Sequence, residues 1–348
     1  LGCLPPTHTP RATEHIAEMV QIIQELISNG HAYVEQGHVL FDVTSDSNYG
    51  CLSRRSVDEM IAGARVEVAP YKRNPADFVL WKPADEQDDE SAKFNSPWGV
   101  GRPGWHIECS AMSSKYLGYS FDIHGGGLDL TFPHHENEIS QSTCAHKGSK
   151  YASMWIHNGF LTVNGEKMSK SLGNFITLRE LLDKGINGEV IRWVLLSTHY
   201  RSPLDWNDKL ISDSKKFMDR IYRLPDLDKA EAKPDEKLME CLSDDLNFSL
   251  ARAYLWSALD YYYQDTTNVG YLTIVRDNLK FLGFLNQTSD QYFGRGNADA
   301  EIENLINLRK AAKAAKNYAE ADNIRKKLED MGIIIEDKPG GVIEWRRK

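Results

Sequence analysis

A short apolar strand that runs directly into three glycines constrains the fold of this chain more than any other segment. Phe121-Asp122-Ile123-His124 is typical of a buried strand, and glycines at 125–127 follow it. Glycines at a strand end let the backbone approach a ligand, and Pro133 then starts a predicted helix that reaches about Cys144. A glycine triplet alone is more often a tight turn. After a strand and before a helix it favours the ligand edge of an open α/β sheet.

A second segment, Lys167-Met168-Ser169-Lys170-Ser171, is followed closely by Gly173. Lysine is a compact charge with rotatable donors, serine hydroxyls donate to oxygens, and glycine admits close backbone approach, so the segment suits a mobile loop over a polyphosphate. An ordinary solvated basic turn is the alternative. A given five-letter string arises by chance in a chain of this length with odds of about 1 in 10,000, which favours the phosphate loop.

A metal site is indicated by His134 and Glu138, which lie four residues apart on the predicted helix and therefore share a face. An imidazole and a carboxylate at this spacing form a common half of a zinc site, and Cys109 could supply sulfur from a neighbouring element. The residues alone favour a different interpretation: a helix-capping histidine, a solvated glutamate and a buried thiol.

Composition limits the class of protein. The 348 residues suffice for two or three domains, and a formal net charge of -9 argues against indiscriminate nucleic-acid binding without excluding a local basic track. Five scattered cysteines favour a reducing compartment over a disulfide framework, so a cytoplasmic protein is expected. The sequence has no run of about 18 apolar residues, so no membrane partner is expected.

Strands and helices mix early in the chain, and helices dominate later. Helical spacing of apolar residues predicts a helix from Thr13 to Asn29, and beyond Asp205 the same period predicts a bundle that ends in one long helix from Ala300 to Met331. The predicted strands lie at 32–34, 39–43 and 78–81, and a small terminal hairpin is predicted at 333–335 and 342–343.

Four stretches together resemble cysteinyl-tRNA synthetase, a class I aminoacyl-tRNA synthetase. They are GWHIECSAM at 104–112, FDIHGGGLD at 121–129, FPHHENE at 132–138 and the KMSKS stretch KMSKSLGNF at 167–175. The resemblance implies an α/β fold, in which the second half of a Rossmann-like catalytic domain carries a mixed α/β insert and precedes a helical bundle and a small anticodon-binding domain. The implied segments are the end of the first catalytic half or a junction at 1–19, the insert at 20–117, the second catalytic half at 118–205, the bundle at 206–292, and the C-terminal helix and small domain at 293–348.

The resemblance also implies a zinc ion. In this family two cysteines, one histidine and one glutamate hold zinc, and Cys109, His134 and Glu138 match three of those positions. One Zn²⁺ per chain would select cysteine over serine, because a thiol binds as thiolate while an alcohol stays protonated. Discrimination of about 10,000-fold between cysteine and serine requires a difference of about 5.5 kcal/mol in binding free energy. The shape of a pocket alone gains less than this from two substrates that differ in one atom. The family's HIGH element and other zinc-binding cysteine are expected to precede Leu1, so weakened zinc binding is expected of this chain.

The implied reaction joins L-cysteine to ATP, bound with Mg²⁺, and transfers the cysteinyl group to tRNA(Cys). By resemblance Lys170 contacts phosphate and stabilises the transition state, with Lys167 assisting. The resemblance also assigns residues to the adenylate and amino-acid pocket. His124, Gly125 and Gly126 would admit the adenylate, and Asp129 would bind the ribose or the amino group of cysteine. Trp105 would form part of the wall around the amino acid, with a core tryptophan as the alternative. Three more histidines, His106, His135 and His157, would line the pocket without individual roles.

For the RNA, the family's bundle and C-terminal domain read the anticodon. Trp345, Arg346 and Arg347 offer an aromatic plane beside cations, and stacking of an unpaired base contributes about 1 to 3 kcal/mol. A frayed basic tail is the alternative for this end. A monomeric cysteine-tRNA ligase is therefore expected. The competing hypotheses are a truncated, non-catalytic tRNA-binding remnant and a mycothiol-type ligase of cysteine and an amino sugar, which shares the zinc and KMSKS chemistry but not the anticodon-binding end.

Overall fold

The computed structural model describes residues 1–54, 69–225, 232–294, 300–337 and 343–347. The chain forms two compact units. Among the described helices, none combines the length and the apolar run that a bilayer crossing requires. The amino-terminal unit comprises Leu4–Phe160 and Tyr200–Pro203, and the carboxyl-terminal unit comprises Leu1–Cys3, Leu161–His199 and Leu204–Lys348.

The amino-terminal unit starts with a helix packed on an antiparallel sheet. Helix α1 (Ile16–Ser28) buries Met19, Ile23 and Leu26 in the same core cluster as the sheet residues Phe41 and Leu80. The sheet is formed by β1 (Ala32–Glu35), β2 (His38–Phe41), β3 (Phe78–Pro83) and β4 (Gly101–Pro103), in that order. The predicted helix and strands of this region are confirmed, apart from their end residues.

Two parallel strands follow. Helix α2 (Trp105–Leu117) leads into β5 (Ser120–Gly127), and helix α3 (Glu136–Ala145) leads into β6 (Tyr151–Asn158). The strands β5 and β6 pair in parallel, with Gly126 opposite His157. The glycines that end β5 and the histidine near the end of β6 therefore share the carboxyl edge of this sheet.

The strand predicted at 121–124 is confirmed, but its predicted burial is wrong. Within the described residues β5 pairs only with β6, and Ile123 and Met154 on these strands are 54% and 56% exposed. A parallel strand is buried only when both faces are covered, and these side chains lack that cover.

The helix predicted from Pro133 begins at Glu136 instead. A kinked turn at Thr131–His135 precedes it, and Phe132 within that turn has extended backbone angles (φ -140°, ψ 133°). The residue before a proline avoids the helical region because the proline ring crowds its backbone, which explains the later start.

The first turn of α3 connects the insert to the sheet. The Glu136 carboxylate accepts the backbone N–H groups of Gly50, Leu52 and Ser53 at 2.7 to 3.4 Å. Asn137 Oδ1 accepts the Tyr49 hydroxyl at 2.6 Å. Glu138 is fully buried. Glu136 and Asn137 thus hold the segment at 49–53, while Glu138 contacts Tyr151 on β6.

The carboxyl-terminal unit combines a three-stranded sheet with helices. Strand β7 (Leu161–Val163) pairs antiparallel with β8 (Glu166–Lys167) and parallel with β9 (Leu204–Trp206). The helices are α4 (Leu178–Asp183), α5 (Gly188–Leu195), α6 (Asp208–Ile221), α7 (Glu236–Ser243), α8 (Phe248–Gln264), α9 (Val269–Phe281), α10 (Ser289–Tyr292), α11 (Ala300–Ala314) and α12 (Tyr318–Asp330).

The predicted helical bundle and terminal hairpin are both confirmed. Trp193, Phe217 and Leu255 belong to one buried cluster shared by α5, α6 and α8. At the end of the chain, β10 (Ile333–Asp337) and β11 (Ile343–Arg347) pair antiparallel.

The single helix predicted from Ala300 to Met331 is wrong, because the structure contains two. Lys316 has a positive φ of 58°, which no helix continues through. Asn317 then caps α12 by accepting the N–H of Glu320 at 3.3 Å.

Candidate metal and nucleotide site

Cys109, His134 and Glu138 come together in the amino-terminal unit. They project from α2, from the kinked turn and from α3, and one ligand atom of each lies within 4.8 Å of the other two. His134 is 4% exposed and Glu138 is 0% exposed. The alternative of a solvated glutamate is therefore wrong, because water does not reach this carboxylate.

Hydrogen bonding satisfies only one oxygen of Glu138. Oε1 accepts the Tyr151 hydroxyl at 3.2 Å, and His134 Nε2 lies 3.7 Å from it. Oε2 is buried without a hydrogen bond in the described part of the chain, although His124 Nε2 lies 3.1 Å away. A buried carboxylate oxygen without a donor costs free energy, which a cation beside it would recover. Because zinc accepts sulfur, nitrogen and oxygen ligands, these residues fit a zinc ion.

Buried and half-buried histidines lie around the carboxylate. Burial, then the charge of His134, lowers the pKa of His106 to about 4, and burial, then the charge of His124, lowers the pKa of His135 to about 3. The Nδ1 atoms of His106 and His134 are 2.9 Å apart, as are Nδ1 of His135 and Nε2 of His157. Each pair needs one donor and one acceptor, which neutral imidazoles supply. Neutral imidazole is also the form that binds metals.

The thiol of Cys109 lies in an environment that opposes ionisation. Burial, followed by the carboxylate of Glu138, raises its pKa to about 12. The thiol therefore stays protonated until a cation is bound beside it, since a coordinating metal deprotonates a thiol. Cys144 is also buried, with a pKa raised to about 12, but it contributes no atom to the ligand sets.

The structure also assigns contacts that motif reasoning missed. His124, His135 and Glu138 form a second set of ligand atoms within 4.8 Å of one another, so Glu138 belongs to both sets. Tyr151 orients Glu138 through its hydroxyl, and the Trp155 ring lies 4.9 Å from His124 and 5.2 Å from His135. No local spacing points to Tyr151 or Trp155, because the strand pairing of β6 brings them to the site.

The glycines at the end of β5 differ in what they require. A Cβ on Gly126 would lie 2.8 Å from Cε1 of His135, closer than packed carbon atoms allow, so only glycine fits there. A Cβ on Gly125 would meet the Ile156 carbonyl oxygen at an ordinary 3.5 Å. Asp129, beyond the strand end, is exposed.

Trp105 stands at the surface of the ligand set. It is 55% exposed, and its ring stacks on His134 with centroids 4.1 Å apart and planes 21° apart. The alternative of a core tryptophan is therefore wrong. An exposed ring against a candidate ligand is suited to the wall of a small-molecule site.

The KMSKS segment belongs to the carboxyl-terminal unit, and Asn174 closes its backbone. Asn174 Oδ1 accepts the N–H of Ser169 at 2.8 Å, and Nδ2 donates to the Lys167 carbonyl at 3.2 Å. Lys167 and Lys170 are exposed, and within the described residues neither has an ion-pair partner. Two cations on a closed loop are thus available to a polyanion.

Trp345 lies in β11 and is part of a core. It is 6% exposed, and its indole Nε1 donates to Glu303 at 2.9 Å. In the register of the hairpin Arg346 stands opposite Ile334 and Arg347 opposite Ile333. The frayed-tail alternative is wrong for 343–347, since these residues pair as a strand. The buried ring has little area left for a stacked base.

Comparison with known families matches two parts of the chain. A family described as tRNA synthetases class I (C) catalytic domain matches residues 1–216, and one described as cysteinyl-tRNA ligase anticodon binding domain matches residues 295–346. The chain belongs to the cysteinyl-tRNA ligase family. This membership makes it an aminoacyl-tRNA ligase of class I, and it confirms the resemblance drawn from the motifs.

Relatives in the cysteinyl-tRNA ligase family align along the full chain. The cysteine-tRNA ligases of Rickettsia bellii (strain OSU 85-389) and Rickettsia felis (strain ATCC VR-1525 / URRWXCal2) are each 51% identical to it, over 100% of this chain and 77% of their own lengths. A solved Mycobacterium tuberculosis methionyl-tRNA synthetase in complex with methionyl-adenylate has a TM-score of 0.51 at 14% identity, covering 78% of this chain and 71% of that one. The latter likeness concerns the fold alone.

Proposed function

We propose that this chain activates L-cysteine with ATP and transfers it to tRNA(Cys), and that a zinc ion selects cysteine over serine. The observation that carries the proposal is the fully buried carboxylate of Glu138, which forms a ligand set with Cys109 and His134 and has one oxygen without a hydrogen bond among the described residues. Such an arrangement is costly without a cation and fits zinc with it.

In this proposal Cys109, His134 and Glu138 hold the zinc. The bound ion would supply an affinity for thiolate sulfur that an alcohol does not share. The Tyr151 hydroxyl fixes the carboxylate, and His106 fixes the ring of His134 through its Nδ1 atom. The Trp105 ring, stacked on His134, limits the room beside the ligand set and favours a small amino acid.

The nucleotide is assigned to the other predicted residues. Lys170, with Lys167, would contact the phosphates of ATP and its Mg²⁺ complex, where charge spreads during attack by the carboxylate. His124, Gly125, Gly126 and Asp129 remain our candidates for the adenylate. The missing side chain at Gly126 lets the ring of His135 pack against this strand end.

The RNA is assigned to the carboxyl-terminal end. The family match of residues 295–346 to an anticodon binding domain supports tRNA(Cys) over an amino sugar as acceptor. The burial of Trp345 favours a core role for its ring, so Arg346 and Arg347 carry the proposed contacts. A monomer located in the cytoplasm, and the segment boundaries given above, stay predictions.

A paired cysteine experiment tests the proposal. In the complete protein, Cys109→Ser should lose bound zinc and reduce kcat/KM for cysteine in ATP-pyrophosphate exchange by at least about 100-fold, because even changes around a metal ligand cost about 10- to 100-fold. Cys144→Ser, which removes a buried thiol from α3, is the matched control and should keep both. A metal-free triple variant of Cys109, His134 and Glu138 that still chose cysteine over serine would contradict zinc selection.

A further inference from the structure

A cavity of about 220 Å³ adjoins the candidate metal set within the amino-terminal unit. Two of its lining residues also adjoin His134: His106 through the 2.9 Å contact of their Nδ1 atoms, and Pro133 through the chain. A group in the cavity would therefore lie one side chain away from the amino acid. The described lining residues that matter for recognition are Tyr49, Lys72, Phe78, His106, Pro133 and Asn137.

Most of the cavity wall is flat and uncharged. The rings of Phe78 and His106 meet edge to face at 84°, with centroids 5.6 Å apart, and Pro133 adds another apolar surface. Flat apolar and aromatic surfaces are the elements that proteins use to hold an unpaired base.

Two polar groups are available at this wall. Asn137 is 2% exposed and accepts the Tyr49 hydroxyl through Oδ1, while its amide nitrogen forms no hydrogen bond with the described residues. Among the described residues the Lys72 ammonium group has one hydrogen bond, to the Pro75 carbonyl at a long 3.4 Å, and it interacts with the charge of Asp77. The cavity thus offers one neutral donor and one weakly engaged cation.

Other substrates of the proposed reaction suit the cavity less well. Asp77, its acidic residue, already accepts the Tyr33 hydroxyl at 2.6 Å and the N–H groups of Val43 and Asn74 at 3.1 and 2.9 Å. No free carboxylate among the described lining residues therefore remains for an amino group. The residues assigned to the adenylate do not line the cavity either.

We propose that this cavity binds the 3′-terminal nucleotide of tRNA. The base packs against Phe78, His106 and Pro133, one base edge meets the Asn137 amide, and the phosphate of the same nucleotide pairs with Lys72. The inference rests on the proposed function, because only transfer to tRNA brings an unpaired terminal nucleotide beside the amino acid. It adds to the insert a substrate-binding site that lies outside the residues assigned from the motifs.

The test is a binding cycle with the complete protein. Wild-type protein and Lys72→Gln are each titrated with tRNA(Cys) that either carries or lacks its terminal adenosine. Wild type should bind the intact tRNA about tenfold more tightly than the shortened one. In the Lys72→Gln protein the difference between the two tRNAs should be clearly smaller than tenfold, because the contact of the cation disappears together with the missing nucleotide while base packing remains. Lys82→Gln removes a lysine from β3 that does not line the cavity, so it should retain the tenfold difference.

If the losses of binding free energy from Lys72→Gln and from shortening the tRNA were independent and simply added together, the assignment would be overturned. A second measurement does not depend on the variant's folding: 2-aminopurine in place of the terminal adenine should lose fluorescence on binding to wild type as it stacks, and unchanged fluorescence would overturn the proposal. Cysteine-dependent ATP-pyrophosphate exchange by wild type needs no tRNA. Its absence would refute the proposed function, whereas exchange combined with additive losses would refute the cavity assignment alone.

Discussion

The buried Oε2 atom of Glu138 should make the stability of the amino-terminal unit depend on metal. Glu138→Gln removes a buried negative charge and keeps the side-chain shape, so the metal-free variant should unfold at a higher temperature than metal-free wild type. Zinc at about 100 times its Kd should stabilise wild type by about 2.7 kcal/mol and the variant by much less. Thermal unfolding with zinc and with a chelator measures both effects.

Glu108→Gln is the matched control for this prediction. Glu108 stands beside Cys109 on α2 and loses the same charge, but it gives no atom to either ligand set. Its zinc response should equal that of wild type. An equal zinc response in Glu138→Gln would show that the carboxylate does not hold the ion.

Single residues were predictable where the geometry is local. The four-residue spacing of His134 and Glu138 placed both on one face before any fold was known, although His134 precedes the regular helix. Tyr151 and Asn137 were not assigned, because their contacts depend on β6 pairing with β5 and on a loop 88 residues away in sequence. Tertiary contacts of that kind leave no periodic signal in the chain.

At the scale of elements, the KMSKS loop depends on one amide. Asn174→Ala removes both hydrogen bonds that close the loop at Ser169 and Lys167, so the lysines lose their fixed positions. We expect kcat/KM for ATP in pyrophosphate exchange to fall about tenfold, the effect of two lost hydrogen bonds of about 0.7 kcal/mol each. Steady-state kinetics with varied ATP measure it.

The control for the loop prediction is Leu172→Ala. Leu172 lies in the same loop and is 58% exposed, and no side-chain hydrogen bond is lost on its truncation. Its kinetics should stay within twofold of wild type. If Asn174→Ala behaved like Leu172→Ala, closure of the loop would not matter for ATP.

Element boundaries show where a sequence signal was overlooked. Apolar periodicity continued from α11 into α12 and predicted one helix. Asn317 followed by Glu320 is a helix-start signal inside that run, and the structure uses it as the cap of α12. Periodicity identifies the buried face, but the capping residues determine where a helix ends.

For the molecule as a whole, acid stability should depend on Asp337. The cations of Arg309 and Lys313 hold the pKa of its carboxyl well below the ordinary value. The stabilisation is therefore present above the unfolded pKa of about 3.9 and is lost as the pH falls toward the lower folded pKa. Hydrogen exchange of β10 and α11 between pH 5 and pH 2.5 should reveal opening of this region at the acid end.

Asp337→Asn should weaken the region at neutral pH by about 1 to 2 kcal/mol. The side chain of Arg309 is only 2% exposed and would lose its partner, while the 43% exposure of Asp337 lets water screen the pair. The acid response of the variant should be flatter than that of wild type. Asp330→Asn, at the exposed end of α12, should change neither; a wild-type acid response in Asp337→Asn would reject the role of this pair.

The fold class of the whole chain could be predicted from its motifs, but an RNA partner could not be predicted from the amino-acid composition. The net charge of -9 points away from RNA, whereas a local surface decides binding and a sum over all residues does not describe it. The motifs overruled the charge because their order along the chain is specific to the family. The exposure of β5 was missed because an apolar run does not report how many strands flank it.

The opening turn of α3 restricts how this protein can change. Each helical residue turns the next by about 100°, so one added or deleted residue ahead of Glu136 would redirect three neighbouring side chains together. The loop anchor at Glu136, the amide at Asn137 and the ligand at Glu138 would all miss their contacts. Insertions and deletions should therefore be tolerated between Asp85 and Ser96 but not between β5 and α3. In a library of single-residue insertions, active clones should carry insertions in the first region and none in the second.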